Sequence, residues 1–446
     1  MPESAAISYS HNAVWRIALP MIVSNLSVPL LGMVDTAVMG HLPSPHYLGA
    51  VAVGAVIFSF LFMGLNFVRM STTGLAAQAW GANDGNEVRT VLGQAVLSAL
   101  VLAAALLLMQ RPLGQLALML IDPSPDVASE AARYYFVRIW SAPATLVNFA
   151  LIGWFIGMQN ARAALLIMLA TNVANIILDL WFVLGLGMTA EGVALASVIA
   201  EIIGVITGML IVRSELTGKA GTWSANEIIN IGRFRRLFSV NINIFIRTMT
   251  LMFAFGFLTA MGARQGDIVL AANAILLNLQ SFMAYGLDGF ANAAEALVGR
   301  AMGAKSRQGF VKAVRLSLAW TLGVSVVFSL GYLLAGRGII NLLTNIDAVR
   351  AAAYVYLPWM IVSPLVSGWS FLWDGVFIGG TRAKEMRDAM LISAFLVYLP
   401  VWYFTQGLGN HGLWLAFMAF MAARGLTMTW WFRRIDQRGG FVPAST

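Results

Sequence analysis

Residues 153–157 read Gly-Trp-Phe-Ile-Gly, and 222 positions later residues 375–379 read Gly-Val-Phe-Ile-Gly. The same offset relates Met39-Gly40 to Met261-Gly262, Ser59-Phe60 to Ser281-Phe282, Gly64-Leu65 to Gly286-Leu287, and Gly81-Ala82 to Gly303-Ala304. One constant offset across five separated motifs marks a tandem repeat. The repeated segments are apolar enough to cross a membrane. Two similar membrane halves in tandem are the organisation of a secondary transporter, whose substrate site lies where the halves meet.

Composition supports the membrane reading. Hydrophobic residues make up 59% of the 446 and charged ones 11%, where a soluble domain carries about 25% charged. Stretches free of Asp, Glu, Lys and Arg, such as Ile17–Val34, Leu316–Gly336 and Ala351–Trp373, have the roughly 20 residues that span hydrocarbon. The expected fold is an all-α integral membrane protein with twelve transmembrane helices in two pseudo-symmetric six-helix bundles. The helices are expected at about 13–40, 47–80, 90–110, 130–158, 163–186, 190–212, 235–262, 268–302, 312–335, 350–380, 386–407 and 412–433. The absence of cysteine excludes disulfides and thiolate metal sites. The four histidines, His11, His41, His46 and His411, have no metal-ligand spacing.

The net charge of +8 is a topology signal rather than a nucleic-acid footprint. With twelve helices, nineteen basic residues fall in the loops on the side of the termini and five in the opposite loops. Arg69, Arg138, Arg247 and Arg424 fall inside helices. This bias places both termini in the cytoplasm. The polar start, Met1–Asn12, lacks the early basic cluster of a cleaved signal peptide. The polar linker Arg213–Arg236 separates two lobes, 1–220 and 221–446. Six is even, so both lobes enter from the same side and the repeat is parallel.

Positions that break the repeat point to function. Asp35 corresponds to Phe257, Asn175 to Val397 and Asp179 to Val401. In the other direction, Asp288 corresponds to Asn66, Glu295 to Thr73 and Asp374 to Ile152. An ionisable group in a membrane helix costs at least ~2.5–3.5 kcal/mol and requires a partner, a wet cavity or protonation. Asp35, Asn175, Asp179 and Ser197 fall at similar depth in the outer half of the first lobe. Asn175 and Asp179 are one turn apart on one helix face. Such a set suits a proton site, and equally a Na⁺ site. The competing reading places the two carboxylates at the membrane edge or beside an arginine. Ser197 back-bonding to its own helix competes for that residue, and Glu201 either joins the site or pairs with Arg138. In the second lobe Asp288, Glu295 and Asp374 either meet a cationic substrate or pair with Arg247 or Arg69. Pro20, which corresponds to Ile242, is a candidate hinge. The paired Gly-x-x-x-Gly motifs are expected to pack helices closely.

The segments GMVDTAVMGHL (32–42), WGAND (80–84), MGAKS (302–306) and DGVFIGGTRA (374–383) together resemble the multidrug and toxic compound extrusion (MATE) family. LDGFANAAEA (287–296) and NVANIILD (172–179) are similar to its bacterial DinF branch. The resemblance runs from about Trp15 to Arg434. It implies a V-shaped pair of bundles that exports lipophilic organic cations across the lipid bilayer against an inward H⁺ or Na⁺ gradient. It also implies a bacterial inner-membrane location, a monomer and no cofactor. Carried over by motif, Asp35, Asn175 and Asp179 match the branch's first-lobe cation site. Ser197 stands where the branch carries a small hydroxyl residue, and Pro20 matches the proline at which helix 1 bends. Proton coupling is the expectation, with Na⁺ ligation at Asp35, Asn175 and Asp179 as the alternative. A lipid-linked oligosaccharide or phospholipid flippase is the less favoured rival, because its polyanionic substrates call for basic intramembrane residues. No His-Glu-x-x-His, Gly-x-Gly-Asp or Walker loop occurs, so an enzyme is not expected.

Overall fold

A computed structural model of the chain describes residues 9–39 and 44–442. Its twelve long helical segments are α1 (His11–Met39), α2 (His46–Gly81), α3 (Gly85–Leu108), α4 (Pro125–Gly157), α5 (Ala161–Gly185) and α6 (Ala190–Leu216), followed by α7 (Ile231–Ala263), α8 (Asp267–Gly303), α9 (Arg307–Leu343), α10 (Asp347–Gly379), α11 (residues 383–404) and α12 (Asn410–Gln437). Among the described residues, eleven helices are long and apolar enough to cross a membrane. The twelfth segment, α11, is broken by a π-helical stretch at Ile392–Tyr398. Large apolar side chains such as Leu334, 85% exposed, point outwards. Such exposure suits a lipid solvent.

The chain forms two compact units, one of residues 23–236 and one joining the segment up to Ile22 to the chain from Leu237 onwards. α1 is therefore shared, and the division falls two residues after Pro20. α1 keeps helical pitch through both Pro20 and Pro29.

The repeat reappears as equivalent close contacts within each unit. In the first, a Cβ on Gly153 of α4 would lie 2.3 Å from the Arg69 carbonyl of α2, and one on Gly157 would lie 2.6 Å from that of Thr73. In the second, a Cβ on Gly375 of α10 would lie 2.3 Å from the Ala291 carbonyl of α8, and one on Gly379 would lie 2.4 Å from that of Glu295. Only glycine allows two helices to approach so closely. The turns repeat as well. Asn83 and Lys305 share a positive φ, as do Gln159 and Thr381, and each pair is 222 residues apart. Asp84 and Ser306, another such pair, cap the next helix by accepting from backbone N–H groups.

The symmetry is broken locally. α2 is interrupted at Asn66, whereas α8 runs unbroken through the corresponding Asp288. In the first unit, the linker after α6 is folded back onto the start of α3. Buried Arg89 donates to the carbonyls of Gly85 and Ala220 at 2.9 and 2.8 Å and to that of Lys219 at 3.0 Å. Arg233 adds ion pairs to Glu87 and Glu227 at 2.6 and 2.8 Å. In the second unit, a reciprocal amide pair joins Asn273 to Asn410, both bonds 2.8 Å, and Trp414 Nε1 donates to the same Asn273 oxygen.

Candidate functional site

In the first unit, α5 presents Asn172, Asn175 and Asp179 at a spacing of three and four residues, hence on one face. Asn175 is 2% exposed, Asp179 0% and Ser197 of α6 8%. With its amide oxygen turned to α6, Asn175 accepts from both the backbone N–H and the hydroxyl of Ser197 at 3.2 Å. Its amide nitrogen then donates to Asp179 Oδ2 at 3.3 Å. This orientation is assigned from the network, since it satisfies both the oxygen and the nitrogen of the amide. Asp179 is the last α-helical residue before a π-helical segment, Leu180–Gly185. Such segments are frequent at functional sites because they re-aim side chains.

The same face of α5 reaches α1. Ser24 donates to Met168 Sδ at 2.8 Å, and Asn172 donates to Ser27 Oγ at 2.7 Å. The structure therefore brings Asn175, Asp179 and Ser197 together, and α1 is bound to α5 one to two turns away. Asp35 lies on α1, but its side chain is outside the described residues. Asn172 and Ser27 escaped the sequence reading. Asn172 carried a signal, being three residues before Asn175 on the same face.

Glu201 joins neither this trio nor Arg138. Its carboxylate accepts from Asn148 of α4 at 2.8 Å, and its carbonyl accepts from the same amide at 2.9 Å. Arg138 donates to the Ser141 hydroxyl and lies over Phe58, 5.5 Å from the ring centre. A methyl on Gly204 of α6 would fall 2.3 Å from Thr171 Oγ1 and 2.8 Å from the Asn148 amide. That small residue lets α4, α5 and α6 converge on the polar cluster.

The second unit holds a different buried set. Asp374 of α10 accepts on Oδ2 from Arg247 of α7 and, at 2.9 Å, from Arg424 of α12. All three residues are buried. The Arg424 guanidinium also lies over Phe420, at 5.7 Å, and feels the charge of Asp288. Glu295 of α8 is buried, and Asp288 is half-buried. The expected pairing of Arg247 with one of the acids is present, and the acid is Asp374. Arg424 was missed as a network member, although its counterpart 222 residues earlier is Ile202. A lobe-specific cation was the available signal. Arg69 of α2 donates from Nε to Asn66 Oδ1 at 3.1 Å. Among the described residues, no group of three or more His, Asp or Glu side chains could hold a metal ion.

The profile of the MatE family matches the chain twice, at residues 20–181 and 243–404, which is the duplication read from the sequence. The chain is 44% identical to DNA damage-inducible protein F of Escherichia coli, over 99% of this chain and 96% of that one. It is 24% identical to the probable multidrug resistance protein NorM of Rhizobium meliloti, over 96% of this chain and 94% of that one. A crystal structure of a MATE protein in the bent conformation shares the fold, with a TM-score of 0.86, 17% identity and 95% of each chain covered.

Proposed function

Since the chain belongs to the MatE family of transporters, we propose that it is a secondary active exporter exchanging lipophilic organic cations for protons across the bacterial inner membrane. The observation that carries this reading is the buried cluster of Asn175, Asp179 and Ser197 inside a membrane-spanning bundle. A carboxylate there is costly unless protonated, paired or solvated. Its protonation state and the polarity of its surroundings are therefore coupled.

The proposed cycle has Asp35 and Asp179 taking up protons from outside. Neutralised acids no longer hold a cation, the bend at Pro20 changes, and the first-lobe cavity releases drug. The lobes, 1–220 and 221–446, then expose the site to the cytoplasm, where the protons leave and a new cation binds the restored charge. Substrate and proton compete for one negative charge, and that competition enforces exchange. The division of the compact units next to Pro20 supports a hinge at that proline. In the second lobe Asp374 is engaged by two guanidiniums, and Asp288, Glu295 and Asp374 together are the acids proposed to meet a cationic substrate there.

A second reading takes Na⁺ as the coupling ion: if the Asn175 amide turns so that its nitrogen donates to Ser197 Oγ, at 3.2 Å, its oxygen faces the Asp179 carboxylate and the two could share a hard cation. The test uses proteoliposomes carrying a fluorescent organic cation, with a pH gradient or a Na⁺ gradient imposed separately. Movement driven by the pH gradient alone, and lost in Asp179→Asn, is the expected result. Movement that requires Na⁺ would recast the trio as sodium ligands. No movement under either gradient would reject cation antiport and favour a flippase.

A further inference from the structure

We infer that the start of α9 carries a binding site for the head group of one anionic phospholipid. α9 has 37 residues, about 55 Å at the α-helical rise, against about 30 Å of hydrocarbon. Its uncharged stretch runs from Leu316 to Gly336 and fills that hydrocarbon by itself. Leu316 therefore marks the edge of the apolar layer. Arg315, Lys312 and Arg307 then lie about 1.5, 6 and 13.5 Å beyond it along the helix, at the depth of the head groups.

A groove of about 680 Å³ opens at this level, lined by Arg307, Gln308, Val311, Lys312, Arg315 and Leu316. Arg307 is committed to Asp436, its Nη2 lying 2.8 Å from Oδ2. Among the described residues, Lys312 and Arg315 form no ion pair and are exposed. The first turn of α9 contains no acid to offset their charge. Two unpaired cations one turn apart at a helix's interfacial end match a phosphodiester and are the kind of site that holds anionic lipid.

The apolar half of the ligand has a track as well. From Lys312 the same helical face continues through Ala319, Gly323, Val326, Leu330 and Leu334, all of them exposed. Nothing lies within 4 Å of where a Cβ on Gly323 would be. A soluble phosphate would use only the basic end. A diacyl lipid uses both, which is why the site is assigned to lipid.

The test is native mass spectrometry of the full-length protein in detergent, titrated with phosphatidylglycerol or phosphatidylcholine of the same chains. One retained phosphatidylglycerol is expected. Lys312→Gln/Arg315→Gln should lower that preference roughly 30-fold, to near parity. Arg337→Gln, at the opposite end of α9, should retain it. Equal retention of both lipids by the wild type, or full retention in the double variant, would overturn the assignment. So would displacement of the bound lipid by millimolar inorganic phosphate, which would reassign the groove to a soluble anion. Should the double variant fail to fold, thermal stabilisation of the wild type by phosphatidylglycerol but not phosphatidylcholine decides the matter by the same comparison.

Discussion

Arg424 Nη2 stands 2.9 Å from Asp374 Oδ2, and both side chains are buried, at 2% and 7% exposure. Arg247 donates to the same oxygen, so one carboxylate compensates two guanidiniums. Removing the shared acid takes the ion-pair partner from both cations and leaves only the more distant charge of Asp288 on Arg424, whereas removing one arginine leaves a balanced pair. Asp374→Asn is therefore expected to destabilise by about 3–5 kcal/mol, and Arg424→Met by clearly less. Melting curves in detergent compare the two. The opposite order would mean that Asp374 is not what holds the network.

The glycine contacts give a prediction free of electrostatics. An alanine at 157 or 379 would place a methyl within 2.6 and 2.4 Å, respectively, of a carbonyl on the facing helix. Backbone must then move, at a cost of roughly 1–3 kcal/mol. Gly256 of α7 has open space around it, and alanine there should stabilise by up to about 1 kcal/mol through helix propensity. Equal effects at all three sites would show that the glycines are not packing contacts.

Much of this was legible in the chain because a repeat supplies its own control. Where Gly153 and Gly157 have counterparts at Gly375 and Gly379, backbone architecture is shared. Where Asp179 corresponds to Val401, or Asp374 to Ile152, side-chain chemistry has diverged. Helix positions followed from charge-free length, which hydrocarbon thickness dictates. The partner of a buried group was not legible. Glu201 pairs with Asn148, fifty-three residues away, and no spacing rule connects two helices across a bundle. The π-helical segments of α5 and α11 were equally hidden, since the apolar pattern around them is unbroken.

Arg89 tests whether the linker belongs to the first unit. Its guanidinium reaches the carbonyls of Gly85, Lys219 and Ala220. A Cβ on Gly85 would lie 2.0 Å from the Ala220 carbonyl, so the two strands of chain are in contact there. Arg89→Gln removes most of these hydrogen bonds from a charged donor, at roughly 1–3 kcal/mol. The expected local sign is faster cleavage of residues 217–224 in limited proteolysis. An unchanged cleavage rate would mean that the clasp does not order the linker.

The trio of the first unit makes graded demands on its members. Asp179 carries the charge that is proposed to exchange proton for drug, Asn175 bridges it to α6, and Ser197 supplies two hydrogen bonds, one of them from the backbone. Asp179→Asn retains the shape and removes the titration, so uptake driven by a pH gradient should be lost while the melting temperature holds or rises. Asn175→Ala removes the bridge and exposes Asp179 to an unsatisfied environment, so both transport and stability should fall. Ser197→Ala leaves the backbone N–H in place and should cost only about 0.5–1.5 kcal/mol of stability, with transport reduced rather than abolished. Reconstituted transport and melting, measured on the same preparations, separate these roles. A Ser197→Ala protein as inactive as Asp179→Asn would place the essential group on α6 instead of α5.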